Sequence, residues 1–160
     1  MDENRLSRGE IAGIIAGLIL VGSLFFEWFS LDTEGVSRDE EDDWVCGTDE
    51  VSCTGFETFP ILRFLLIAAA AAPLILSWIV IRGHQLTWPR GELTAIVGLI
   101  AFVLIAYNGF IDKPSPNDIG VNLSFGYFVA ILASLGIFAS GGYRAVESGG
   151  GAQRKPPATF

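Results

Sequence analysis

The chain has 160 residues, 51% of them hydrophobic, with a mean hydropathy of +0.48. Its formal net charge of −8 is concentrated in one segment and its ten Lys and Arg residues are scattered, which excludes a basic nucleic-acid-binding surface. The apolar residues gather in long uninterrupted runs, a distribution that excludes an ordinary soluble acidic domain.

A helix that crosses ~30 Å of hydrocarbon needs about 20 apolar residues. The first such run, residues 11–29, carries no charge before Glu27. It is too long for a cleaved signal peptide, and Phe26-Glu27-Trp28-Phe29 stands where small residues would mark cleavage, so it reads as a retained span. Gly13 and Gly17 lie one turn apart on it, a spacing that lets two helix backbones approach closely.

Residues 31–58 form the largest aqueous segment. Its carboxylates are Asp32, Glu34, Asp39, Glu40, Glu41, Asp42, Asp43, Asp49, Glu50 and Glu57, set against Arg38 alone. It also holds both cysteines, Cys46 and Cys53, and two cysteines on one aqueous segment point to a disulfide in an oxidising compartment. Two free thiols and a metal pair are the competing readings; no His lies nearby to complete a metal set. Asp39, Glu40, Glu41, Asp42 and Asp43 could hold a divalent cation weakly, but the run lacks the alternating ligands and turn glycine of a calcium loop and reads first as a solvated acidic stretch.

The second span is expected over residues 61–81, with Arg63 near its start, a smooth face from Ala68 to Ala72, and a kink at Pro73. Glu27 and Arg63 then fall near one interface, where they either pair or reach water separately. A short link containing Gly83 and Pro89 makes the third span, residues 93–111, an antiparallel neighbour of the second. A turn-rich segment with Pro114, Pro116, Asn117, Asp118 and Gly120 leads to the fourth span, residues 123–143. Gly126, Ala130 and Ser134 form a small-residue stripe there, which serves packing within one bundle or, alternatively, a dimer face. The domain is expected to occupy residues 1–147, and residues 148–160 to be a disordered tail.

The expected fold is therefore an all-α membrane protein: a four-helix transmembrane bundle with one larger outer loop between its first two helices. Arg5, Arg8, Arg82, Arg90, Arg144, Arg154 and Lys155 fall on one side, while Arg38, Arg63 and Lys113 fall on the other. The positive-inside rule then puts both termini in the cytoplasm and the acidic loop outside, with the plasma membrane as the expected location. Trp28, Tyr107 and Tyr127 are expected at the outer interface, and Trp78, Trp88 and Tyr143 at the inner one.

Two resemblances follow from particular residues. Trp28, Trp44, Cys46, Cys53 and Arg63 resemble, over residues 28–63, the first outer loop of the claudin-like tetraspan proteins, which implies four spans with both ends inside. Over the whole length, Arg8-Gly9-Glu10, Trp28-Phe29-Ser30 and Gly141-Gly142-Tyr143 resemble small four-span membrane proteins of actinobacterial type, a resemblance that implies the same layout and brings no activity with it.

No catalytic constellation stands out. The single His84 lies in a short loop with no Cys or acid beside it, and the cysteines lack the spacing of a thiol oxidoreductase. The spans offer Ser23, Ser77, Thr94 and Ser134 but nothing ionisable at mid-membrane. An enzyme, a cofactor and a metal centre are therefore not expected. The expected role is structural, scaffolding or accessory, with the lipid bilayer and a protein partner or second copy as partners. An oligomeric channel or transporter component is the alternative, and a membrane thiol oxidoreductase follows it.

Overall fold

The computed structural model describes residues 7–31, 52–82, 90–114 and 120–147. Cys46, the run Asp39–Asp43 and the tail 148–160 lie outside them. The order is α1 (Arg8–Ser23), β1 (Glu27–Leu31), β2 (Ser52–Thr54), the one-turn α2 (Gly55–Thr58), α3 (Leu62–Ile81), α4 (Arg90–Phe110), β3 (Val121–Leu123) and α5 (Phe125–Glu147).

Local chemistry sets several ends. Ser7 and Glu10 form a capping box: the Ser7 hydroxyl accepts from the Glu10 N–H at 3.3 Å, and the Ser7 N–H donates to Glu10 Oε2 at 2.8 Å. Thr54 and Glu57 repeat the device at α2. At the other end of α1 the Trp28 indole N–H donates to the Ser23 carbonyl at 2.7 Å, and the Phe56 N–H donates to the Leu24 carbonyl at 2.9 Å. These donors satisfy carbonyls that the helix leaves open, and the chain turns into β1.

Among the described residues, three helical stretches are long and apolar enough to cross a membrane, Leu62–Ile79, Gly91–Phe110 and Phe125–Glu147. The 16-residue α1 is shorter, about 24 Å at the helical rise. The four long helices run alternately up and down, and glycines mark where they touch. A Cβ on Gly17 would stand 2.6 Å from the Ala70 carbonyl oxygen, and one on Gly13 would stand 2.8 Å from Ser140 Oγ and 3.5 Å from Pro73 Cβ. Gly98 and Gly141 would drive a Cβ into the backbone of Phe138 and of Ala95. So α1 lies between α3 and α5, and α5 between α1 and α4. Close approach through small residues replaces the hydrophobic drive that lipid cannot supply.

The fold is not all-α. A three-stranded antiparallel sheet, in the order β2-β1-β3, closes one end of the bundle. Phe29 pairs with Cys53 on one side and Leu123 on the other. The apolar run 11–29 is consequently not one helix. Leu24–Phe26 turn, and Glu27–Leu31 form the central strand, because the aromatic residues Trp28 and Phe29 suit a pleated strand as well as a helix. Val121–Leu123 is also strand, paired with β1, and the last helix starts at Phe125. Trp28 and Tyr127 do not sit at a lipid interface. Both are fully buried in the core with Leu20, Leu24, Phe29, Leu66 and Ile105. Tyr107, Trp78 and Tyr143 are exposed.

Candidate functional site

The sheet end carries most of the residues singled out from the sequence. Phe29 and Tyr127 are tilted aromatic neighbours, and Trp28 meets Tyr127 edge-on at 5.9 Å between centroids. Phe110 meets Tyr127 in the same way, and the Tyr127 hydroxyl donates to the Ile105 carbonyl at 3.2 Å. Room for these rings comes from glycine: a Cβ on Gly55 would overlap the Trp28 indole, and one on Gly109 the Tyr127 ring. The result is a dry aromatic plug directly beneath the sheet.

Cys53 is fully buried on β2 against this plug, whereas Cys46 lies outside the described residues. Glu27 and Arg63 find separate partners. Glu27 Oε1 accepts from the Ser52 hydroxyl at 3.0 Å. Arg63 Nη1 donates to the Phe56 carbonyl at 3.2 Å, and its guanidinium lies 4.6 Å from the Phe56 ring centroid and 5.0 Å from that of Phe64. Aromatic faces therefore hold this cation. Of the two arrangements open to Glu27 and Arg63, the separate one is found, with Glu27 carried into the sheet on β1.

The packing residues fall inside the bundle. Gly13 faces α5 and α3, and Gly17 faces α3. Gly126 abuts the Glu27 carbonyl, Phe26 and Trp28, and Ala130 and Ser134 are fully buried. Each of these positions is used within one chain.

The opposite end holds what sequence reasoning missed. Glu10 is 5% exposed, and its Oε1 lies 2.7 Å from Arg144 Nη2. The carboxylate completes the α1 cap at the positive end of that helix, and the guanidinium lies in the last turn of α5, at its negative end. Gly9 makes the pair fit, since a Cβ there would stand 2.6 Å from Arg144 Cγ. Ser77, Thr94 and Ser140 are also buried toward this end. Ser7-x-x-Glu10 is a capping-box pattern from which the cap could have been read. Nothing in the sequence linked it to Arg144, and both charges read as solvent-exposed flanks of their spans.

Among the described residues no three His, Cys, Asp or Glu side chains gather. Compared with protein-family models, curated proteins and solved structures, the chain matches none.

Proposed function

We propose that the protein is a multi-pass membrane protein of structural, scaffolding or accessory type. It crosses the plasma membrane four times with both ends in the cytoplasm, and it presents the acidic segment 31–58 outside to a partner with a basic surface. The observation that carries this reading is the distribution of apolar surface. Ile15, Leu18, Phe64, Ile75, Ile100, Val103, Leu132 and Phe138 leave all four long helices with exposed apolar faces, as lipid contact requires. The fourth crossing rests on α1: its 16 residues are extended by exposed Phe25 and Phe26 before the first charge of β1.

The anchoring role is favoured over a channel by the aromatic plug. A pore through a single bundle would have to pass Leu20, Leu66, Ile105 and Tyr127, all fully buried. A disulfide between Cys46 and Cys53 belongs to the same reading. It is supported by the burial of Cys53 and by its not being a free thiol, and it would hold the acidic segment to β2.

Topology is the direct test. Single cysteines replacing Ser7, Asn122 and Glu147, in a background lacking Cys46 and Cys53, would be labelled on intact cells with a membrane-impermeant maleimide. Four crossings require Asn122→Cys to react from outside and Ser7→Cys and Glu147→Cys only after lysis. Labelling of Ser7→Cys and Asn122→Cys from the same side would remove α1 as a span. For the partner, affinity purification from detergent extract should recover a protein that is lost when the acids at 39–43 become Asn and Gln. Recovery of the chain alone would sink the scaffolding reading.

A further inference from the structure

Four serines are buried on the long helices, and three of them behave alike. Ser23, Ser134 and Ser140 each donate to the carbonyl three residues earlier, Leu20, Ile131 and Ile137, at 2.7–2.8 Å. This is the usual way for a helical hydroxyl to be satisfied in an apolar core. Ser77 is the exception. It is 3% exposed, its Oγ is buried, and it has no hydrogen-bond partner. A buried hydroxyl held off its own backbone is costly unless something else meets it.

The helix register shows what it faces. Gly17 lies over Ala70 and Gly13 over Pro73, so one turn further Glu10 comes level with Ser77. Gly9 lies over Ser140 and Arg144, and Gly91 over Gly141 and Ala145, which brings Thr94 to the same level from α4. Glu10, Ser77, Thr94 and Arg144 are thus one polar layer to which each long helix contributes one residue. All four lie toward the interior, with Glu10, Ser77 and Thr94 each at most 5% exposed and the Arg144 side chain at 15%.

We propose that this layer is a binding site for a water molecule that joins the Ser77 hydroxyl to the Glu10–Arg144 ion pair. The charges select the ligand. A bound cation would sit against Arg144 and a bound anion against Glu10, whereas the pair together is neutral and favours a small neutral molecule with both donors and acceptors. Each Glu10 oxygen already accepts one hydrogen bond, from Arg144 or from the Ser7 N–H, and keeps a second lone pair. The water accepts from Ser77 Oγ and donates to the carboxylate, with the Thr94 hydroxyl in the same layer as a further partner. On the side toward the sheet, Leu20, Leu66, Ile105 and Ile137 close the interior beyond the layer. Bound water in turn lets an ionised pair persist in a bundle core, where desolvation would otherwise penalise it.

Water-edited magic-angle-spinning NMR on the full-length labelled protein in lipid bilayers tests the proposal. Magnetisation from water should reach Ser77 about as fast as it reaches exposed Glu92, and several-fold faster than it reaches Leu66 or Ile105. In detergent, Ser77→Ala should lower the melting temperature by a few degrees and Ser77→Thr should restore it, because removing a hydroxyl that water bonds strands the remaining partners. Transfer to Ser77 as slow as to Leu66 would overturn the proposal. So would a rise in melting temperature for Ser77→Ala, the result expected of a hydroxyl that has no partner at all.

Discussion

Two residues show how burial changes the work of a side chain. Glu10 is a helix cap by sequence and half of a buried ion pair in the fold. Removing one partner leaves the other charge without compensation, so Glu10→Gln and Arg144→Met should each destabilise by about 3 kcal/mol, at the lower end for buried pairs because the Arg144 side chain keeps 15% exposure. The double change Glu10→Gln with Arg144→Met should recover part of that loss, and melting of the four proteins in one detergent checks the cycle. Trp28 likewise serves as a cap, through its indole N–H to the Ser23 carbonyl, and as a core residue edge-on to Tyr127. Trp28→Phe keeps a ring but strands the carbonyl, with an expected loss of about 1–2 kcal/mol in the same melts.

Among the elements, the pairing of α4 with α5 depends on Gly91, Gly98 and Gly141, where backbone meets backbone. Gly98→Ala places a methyl group against the Phe138 backbone, which has no flexible end to move aside, so the helices must separate. A loss of about 2–3 kcal/mol is expected, within the range for overpacking. Gly142 lies on the same helix as Gly141, but a methyl group there would meet nothing within 4 Å, and Gly142→Ala should instead gain about 0.5–1 kcal/mol from helix propensity. Opposite signs for these substitutions, read as melting-temperature shifts, separate a packing glycine from one that merely lines the surface. Reading spacing alone could not make that distinction. Gly13, Gly17 and Gly126 stood out because small residues recurred, whereas Gly91 and Gly98 make backbone contacts at least as close and lie among large side chains.

For the molecule as a whole, the helical cores of the second, third and fourth apolar runs were legible because a lipid-crossing length imposes a minimum run without charge. Their ends were not legible. The turn at Leu24–Phe26 is built from residues as apolar as those of the helix before it, and strands of three to five residues leave no periodicity to detect. The Glu10–Arg144 pair was hidden for another reason: its members are far apart in sequence, and only the antiparallel placement of α1 against α5 joins them. Because the pair ties the first helix to the last, a chain truncated before Arg144 should lose the anchoring of α1. Limited proteolysis of such a truncation should cut near Ser7 sooner than in the full chain, and an unchanged cleavage rate would show that packing against α3 and the rest of α5 holds α1 without the pair.

The sheet also imposes an order of assembly. During synthesis β1 emerges early, β2 follows about 25 residues later and β3 about 90 residues later, so β1 keeps one open edge until the third long helix and β3 are made. The Ser124 N–H then docks on the Trp28 carbonyl, and Tyr127 enters beneath the strands beside Trp28. Closure of the sheet is therefore a molecular record that the third long helix has been made, and a chain that stops short of β3 leaves one edge of β1 unpaired.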